Sequence, residues 1–291
     1  VNWLTNSLPN WLVDSTGKIR LGNWAKDAVD WLTTNADWFF NWLATVLSAV
    51  IDAILYVLQG PNPFVLIAIV TALAFGLRRS VSISAFTAIG LLLIYNQGYW
   101  KETTETLALV LAATAVCMAV GIPIGIAAAR RPWLYEILRP ILDLMQTIPT
   151  FVYLIPALIL FGLGMVPGLI ATVIFAIPAP VRLTRLGIIS TPGSLTEAAV
   201  AFGATPSQVL RKIELPYAMP QIMAGLTQTI MLSLSMVVIA ALVGAPGLGV
   251  PVVRALNTVN IARGFDAGFC IVILAIILDR MFRTAEPGGK S

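Results

Sequence analysis

Side chains able to do chemistry are scarce in this 291-residue chain. There is no histidine, which excludes His-based acid/base catalysis, His metal ligation and a Ser-His-Asp triad. Cys117 and Cys270 lie inside apolar runs and read as free buried thiols. No G-x-x-x-x-G-K-[ST] segment occurs, so the chain does not cradle nucleotide phosphates itself. No catalytic or metal-ligating residue and no cofactor is expected. What stands out instead are polar residues in apolar surroundings. Gln146, Thr147, Pro149, Thr150, Phe151 and Tyr153 form one such group. Pro149 interrupts the backbone hydrogen-bond ladder, and irregular backbone at membrane depth is tolerated mainly beside protein or water. Aromatic faces such as these can attract a cation by cation–π contact. Gln228, Thr229, Ser233 and Ser235 form a second group. Both groups are candidates for lining a translocation pathway, and both also suit plain helix packing, where small and hydroxyl residues are the usual glue.

The elements that position these residues are membrane helices. Hydrophobic residues make up 58% of the chain and charged ones 11%, with a mean hydropathy of +0.88, whereas a soluble domain carries about 25% charged residues. A spanning helix needs roughly 20 mostly apolar residues, and seven such spans fit the sequence: 63–77, 81–97, 107–129, 145–161, 168–186, 219–243 and 265–282. Gly162, Gly164, Pro167 and Gly168 supply the break between the fourth and fifth, and the GAPGLGVP run at 244–251 ends the sixth. Residues 1–37 are polar with scattered Trp and read as a surface-lying arm rather than a cleavable signal. Over 38–58, Asn41, Thr45, Ser48 and Asp52 share one helical face. That stripe suits an amphipathic helix lying in the interface; the rival is a spanning helix with its stripe packed on a neighbour. The division expected is an arm over 1–60, a membrane-spanning domain over 61–284 and a tail over 285–291.

Charge sets the orientation. With Arg78 and Arg79 in the cytoplasm, that side also receives Arg130, Arg131, Arg139, Arg182, Arg185, Arg211, Lys212, Arg280, Arg283 and Lys290. The outside loops receive only Lys101, Arg254 and Arg263, a clear positive-inside bias. The arm then falls outside and the C-terminus inside.

The cytoplasmic loop between the spans ending near 186 and starting near 219 is structured. Ser194-Leu195-Thr196-Glu197 has the form of a capping box, and Gly203 can end the helix it starts. Thr205-Pro206-Ser207-Gln208 is a second cap with Pro at the first helical position. Pro216 is expected to break the chain before the next span, leaving two short helices in an L-shaped hairpin over 194–216.

Glu197-Ala198-Ala199, then Gly203, Ile213 and Leu215-Pro216 at their spacing, resemble the EAA signature of ATP-binding-cassette importer permeases. The segments 142–162, 173–188, 222–249 and 271–280 are similar to permeases of glycine betaine, proline betaine and choline importers. The resemblance covers roughly 63–284 and implies an all-α type I importer permease that works by alternating access. It implies that Glu197, Ala198, Ala199, Gly203, Ile213, Leu215 and Pro216 couple to a separate ATPase, which carries the ATP and Mg. It further implies an external binding protein and a homodimer. An ion-driven secondary transporter or channel is the alternative, although 144–181 and 215–253 contain no ionisable residue for coupling an ion.

Overall fold

The computed structural model describes residues 21–283; the expectations for the first twenty residues of the arm, for Lys290 and for the C-terminal tail lie outside them. Among the described residues, all regular structure is helical. Two units are described separately, one through Leu43 and one from Ala44 onward. The first contains α1 (Leu21–Asn35) and the start of α2 (Asp37–Gln59). Trp24, Trp31 and Trp38 recur every seven residues there and are all exposed, the kind of side chain that settles at a bilayer interface.

In the second unit, α2 buries Leu47, Ile51 and Leu58, and Leu58 packs with Leu66 and Ala108. Of its polar stripe, Ser48 is half-buried beside Leu47 and Ile51, and Asp52 is exposed. At 23 residues α2 is long and apolar enough to cross a membrane. The two helices that follow, α3 (Pro63–Arg78) and α4 (Val81–Asn96), have 16 residues each, about 24 Å at ~1.5 Å per residue. They are shorter than a full hydrocarbon crossing.

Helix α5 (Trp100–Arg130) is the longest single element with 31 residues. It packs on α9 (Pro178–Ile189) through Gly121 and Gly125. A Cβ on Gly121 would lie 2.8 Å from Pro180 Cγ, and one on Gly125 would lie 2.7 Å from Val181 O. Two glycines four apart let the backbones approach where lipid gives no hydrophobic drive to pack. Helix α8 (Met165–Ala176) runs into α9 at Ile177, and the pair passes as one crossing of 25 residues.

The expected span 145–161 is not one helix. Residues up to Thr147 end α6 (Pro132–Thr147), and α7 (Thr150–Phe161) starts after Pro149 at a bend of 95°. Pro149 has no N–H to continue the ladder, and Ile148 before it is pushed to an extended conformation (φ −65°, ψ 129°). At the next break Gly162 (φ +73°) and Gly164 (φ +135°) make the turn, whereas Pro167 and Gly168 lie inside α8. Among the described residues, five helices or continuous helical segments meet the length and apolarity of a crossing, and six do if the bent α6–α7 pair counts as one.

Candidate functional site

The loop expected to be structured is a helix, a turn and the start of a second helix. The first arm, α10 (Gly193–Ala201), starts one position before the expected cap. Pro192 occupies the N-cap and offers no side-chain acceptor, so the Ser194–Glu197 capping box does not form. Ser194 falls inside the first turn, and Glu197 folds back to within 3.9 Å of where a Gly193 Cβ would stand. The other end follows expectation. Gly203 has φ +81°, its N–H bonds Val200 O at 2.9 Å, and the Ala204 N–H bonds Ala199 O at 3.0 Å. That pair of bonds is a Schellman closure, and its left-handed residue favours glycine.

The Thr205 capping box is made in both directions. The Gln208 N–H reaches Thr205 Oγ1 at 3.4 Å, and the Thr205 N–H reaches Gln208 Oε1 at 2.8 Å. The helix that follows does not break at Pro216. A short turn, α11 (Pro206–Val209), continues through a π-helical stretch at Leu210–Glu214 into α12 (Leu215–Ala241). The widened turn lets the Leu215 N–H reach Leu210 O, and Pro216 then stands among the first residues of α12, where a missing N–H is tolerated. The second arm is therefore the end of a 36-residue continuous helical segment. The hairpin is thus continuous with a helix long enough to cross a membrane.

The hairpin is unusually bare. No residue of α10 is buried, and Leu195, Val200 and Phe202 are exposed, Phe202 to 93%. A cavity of about 340 Å³ lies between Ala199, Phe202 and Gly203 on one arm and Gln208, Lys212 and Ile213 on the other. Three expected coupling residues thus gather at one groove. Ala198 and Glu197 are exposed on the same arm, whereas Leu215 packs inward against Ile188, Ala218 and Ile222. Arg130, at the end of α5, ties the second arm down, with Nη2 3.0 Å from Pro206 O and 3.1 Å from Glu214 Oε2.

The expected pathway residues are dispersed. Gln146 accepts from Arg182 Nη1 at 2.9 Å, and the same guanidinium pairs with Asp143 at 2.5 Å. Arg185, one turn further along α9, stacks 3.6 Å from the Tyr135 ring centre. Thr147 and Phe151 are exposed on either side of the bend, while Tyr153 packs into a cluster with Leu154, Ala171 and Met236. On α12, Thr229 and Ser233 are fully buried, and Thr229 Oγ1 donates back to Gly225 O at 2.7 Å. Gln228 and Ser235 instead face out of the chain, on a stripe with Gln221, Ala224 and Met231. A polar cavity at the far end of α5, around Glu102 and Arg254, was outside the sequence expectation. Its signal was the clustering of charges at the ends of spans that are distant in sequence.

A bent helix pair, a bundle of crossings and a bare helical hairpin define an importer permease. The profile of the family described as "Binding-protein-dependent transport system inner membrane component" matches residues 121–288, and the chain belongs to that family. It is a non-enzymatic, multi-pass membrane subunit of an ATP-binding-cassette importer. The chain is 45% identical to the glycine betaine transport system permease protein OpuAB of Bacillus subtilis, over 96% of this chain and 99% of that one. It is 44% identical to the glycine betaine/carnitine transport permease protein GbuB of Listeria monocytogenes, over 94% and 98%. It is 42% identical to the glycine betaine/proline betaine permease protein ProW of Escherichia coli, over 94% and 77%. The solved inward-facing MetNI methionine transporter is similar in fold, with a TM-score of 0.58 and 25% identity over 64% of this chain and 94% of that one.

Proposed function

We propose that the chain carries a quaternary-ammonium osmolyte of the betaine type, driven through the hairpin by a separate ATPase subunit. The observation that carries the cargo reading is the identity of 42–45% to three permeases whose names all specify glycine betaine. The bare hairpin supports the coupling reading. Exposed Leu195, Val200 and Phe202 beside a groove suit a protein partner rather than water. Glu197, Ala198, Ala199, Gly203 and Ile213 form the docking arm, and Leu215 and Pro216 join it to the crossing helix. ATP and Mg reside on the partner, and an external binding protein delivers the cargo.

Transport proceeds by alternating access. Closure of the ATPase dimer draws two hairpins together, and α12 tilts with them. A second copy of the chain supplies the second hairpin. The outward stripe on α12 supports this, because Gln228 in the middle of a crossing helix is costly against lipid and is satisfied against protein. The exposed Gln228, Ser235, Thr147 and Phe151 are the pathway candidates that such a pairing leaves available, whereas Thr229, Ser233 and Tyr153 serve packing. The hairpin side is cytoplasmic by the positive-inside bias, which places the C-terminus inside. Uptake by proteoliposomes holding the complete importer, with glycine betaine, proline betaine, choline and carnitine in competition, tests the cargo. Competition by glycine betaine is expected; uptake indifferent to all four overturns the reading.

A further inference from the structure

The end of α5 opposite the hairpin carries a cavity of about 550 Å³, within the usual range of small-ligand sites of ~300–1,000 Å³. Glu102 and Arg130 sit on the same helix roughly 40 Å apart at about 1.5 Å per residue, so the cavity and the hairpin lie on opposite faces of the membrane. The floor is a turn of backbone pressed onto α5. Thr106 Oγ1 accepts the Leu248 N–H at 2.8 Å. Gly247, at φ +129°, stands where a Cβ would lie 2.7 Å from that hydroxyl. One wall is α5 with Glu102 and Glu105, beside Tyr99; the other is α13 (Gly249–Asn257) with Arg254, continued by Arg263 at the start of α14 (Ile261–Phe282). The Asn260 side chain holds the Arg263 N–H at 3.1 Å and fixes that corner.

The charges around the cavity are not used up by one another. Lys101 and Glu105 approach only to 3.9 Å. Among the described residues, Arg254, Arg263 and Glu102 form no ion pair. Glu102 Oε2 is buried without a hydrogen-bond partner, and a buried carboxylate oxygen without a partner is costly. Burial, and then the Asp266 carboxylate, raise the Tyr99 phenol above its ordinary value, so it stays neutral. A purely cationic ligand would leave the guanidinium groups unmatched, and an anion would leave the carboxylates unmatched. A ligand bearing both charges satisfies both walls. A quaternary ammonium cannot donate hydrogen bonds and needs only negative charge and an aromatic face, whereas a carboxylate suits a guanidinium fork.

We propose that this cavity is a receiving site for a small zwitterion on the face opposite the hairpin. Arg254 and Arg263 take the ligand's carboxylate, and Glu102 with Tyr99 takes its ammonium. The proposal rests on the reading of the cargo as a betaine and adds a site on this chain that holds it after release from the binding protein.

The test is saturation-transfer NMR on the assembled importer in nanodiscs, without binding protein, using glycine betaine, choline and acetate as probes. Transfer to the glycine betaine methyls is expected, with weaker transfer to choline and acetate. Glu102→Gln and Arg254→Gln should each weaken glycine betaine binding roughly ten-fold, the loss of about one charge-assisted contact. No transfer in the wild type, or equal transfer in wild type and both variants, overturns the site. Binding-protein affinity is measured on the same nanodiscs. A ten-fold loss there with betaine transfer unchanged makes the cavity a protein seat and also overturns it. Melting temperatures of the variants separate binding from misfolding, and Arg254→Gln, at an exposed position of α13, keeps the test valid if Glu102→Gln does not fold. The uptake competition keeps the two readings apart. Uptake of betaine without cavity binding sinks only the site, whereas cavity binding of glycine betaine supports the site even if uptake ignores it.

Discussion

The two ends of α5 are built on opposite terms. At the Glu102 end, backbone is pressed against backbone, Gly247 leaves no room for a side chain, and Leu248 is fully buried. At the Arg130 end, a helix with no buried residue carries Leu195, Val200 and Phe202 into the open. The first end packs on itself and borders a half-open polar cavity. The second leaves its apolar side chains uncovered within this chain. The difference suits the two proposed partners: a small ligand needs walls already in place, and a protein needs an uncovered surface.

The contrast breaks most sharply at Gly203. Its φ of +81° costs an L-residue about 1–2 kcal/mol, and nothing lies within 4 Å of an added Cβ. Gly203→Asp therefore distorts the turn without a clash in the bundle. Uptake by the reconstituted importer should fall ~100-fold, the upper range of a coupling free energy, while the protein still inserts and purifies normally. Phe202→Ser comes next. Phe202 touches little within this chain, so melting should move by no more than about 0.5 kcal/mol. A buried aromatic anchor at an interface is worth about 2 kcal/mol, so ATPase affinity should weaken ~30-fold.

At the packed core the signs reverse. Gly125→Leu must push α5 off Val181 and Thr184, which would stand 2.7 Å from its Cβ. Overpacking of this kind costs about 1–3 kcal/mol, read as a lower melting temperature in detergent before any effect on the ATPase. The smallest effect belongs to the tether. The Arg130–Glu214 pair is partly exposed, and such pairs contribute about 0.2–1 kcal/mol. Glu214→Ala should slow uptake only a few-fold, consistent with that magnitude. A double-mutant cycle with Arg130→Ala checks that the two losses are not additive.

Much of the fold was legible because bilayer thickness and apolar run length are the same constraint. The Thr205 cap was legible because its partners are three residues apart, as was Gly203 as a helix terminator. The Ser194 cap was misjudged because the Pro192-Gly193 step starts the helix early, and an S-x-x-E pattern does not say which residue begins it. Pro149 announced a break, yet the length rule drew a span through it; only the 95° bend shows that hydropathy and helix continuity are separate properties. Pro216 was expected to stop a helix, but a π-turn upstream absorbs its missing N–H. The polar cavity at the Glu102 end of α5 was not legible, since Glu102 and Arg254 are brought together only by the folded bundle. The candidate pathway residues were chosen by type, and type does not reveal that Thr229 turns into the bundle while Gln228, one position before it, turns out.

The central claim is that the bare hairpin is where a separate ATPase delivers its energy. Titration of the purified ATPase subunit onto nanodiscs holding the wild-type chain or Gly203→Asp tests it most directly. Saturable binding to the wild type, weakened at least ~10-fold in the variant, is the predicted result. Equal binding by both, or uptake by the chain alone on an ion gradient, would contradict it.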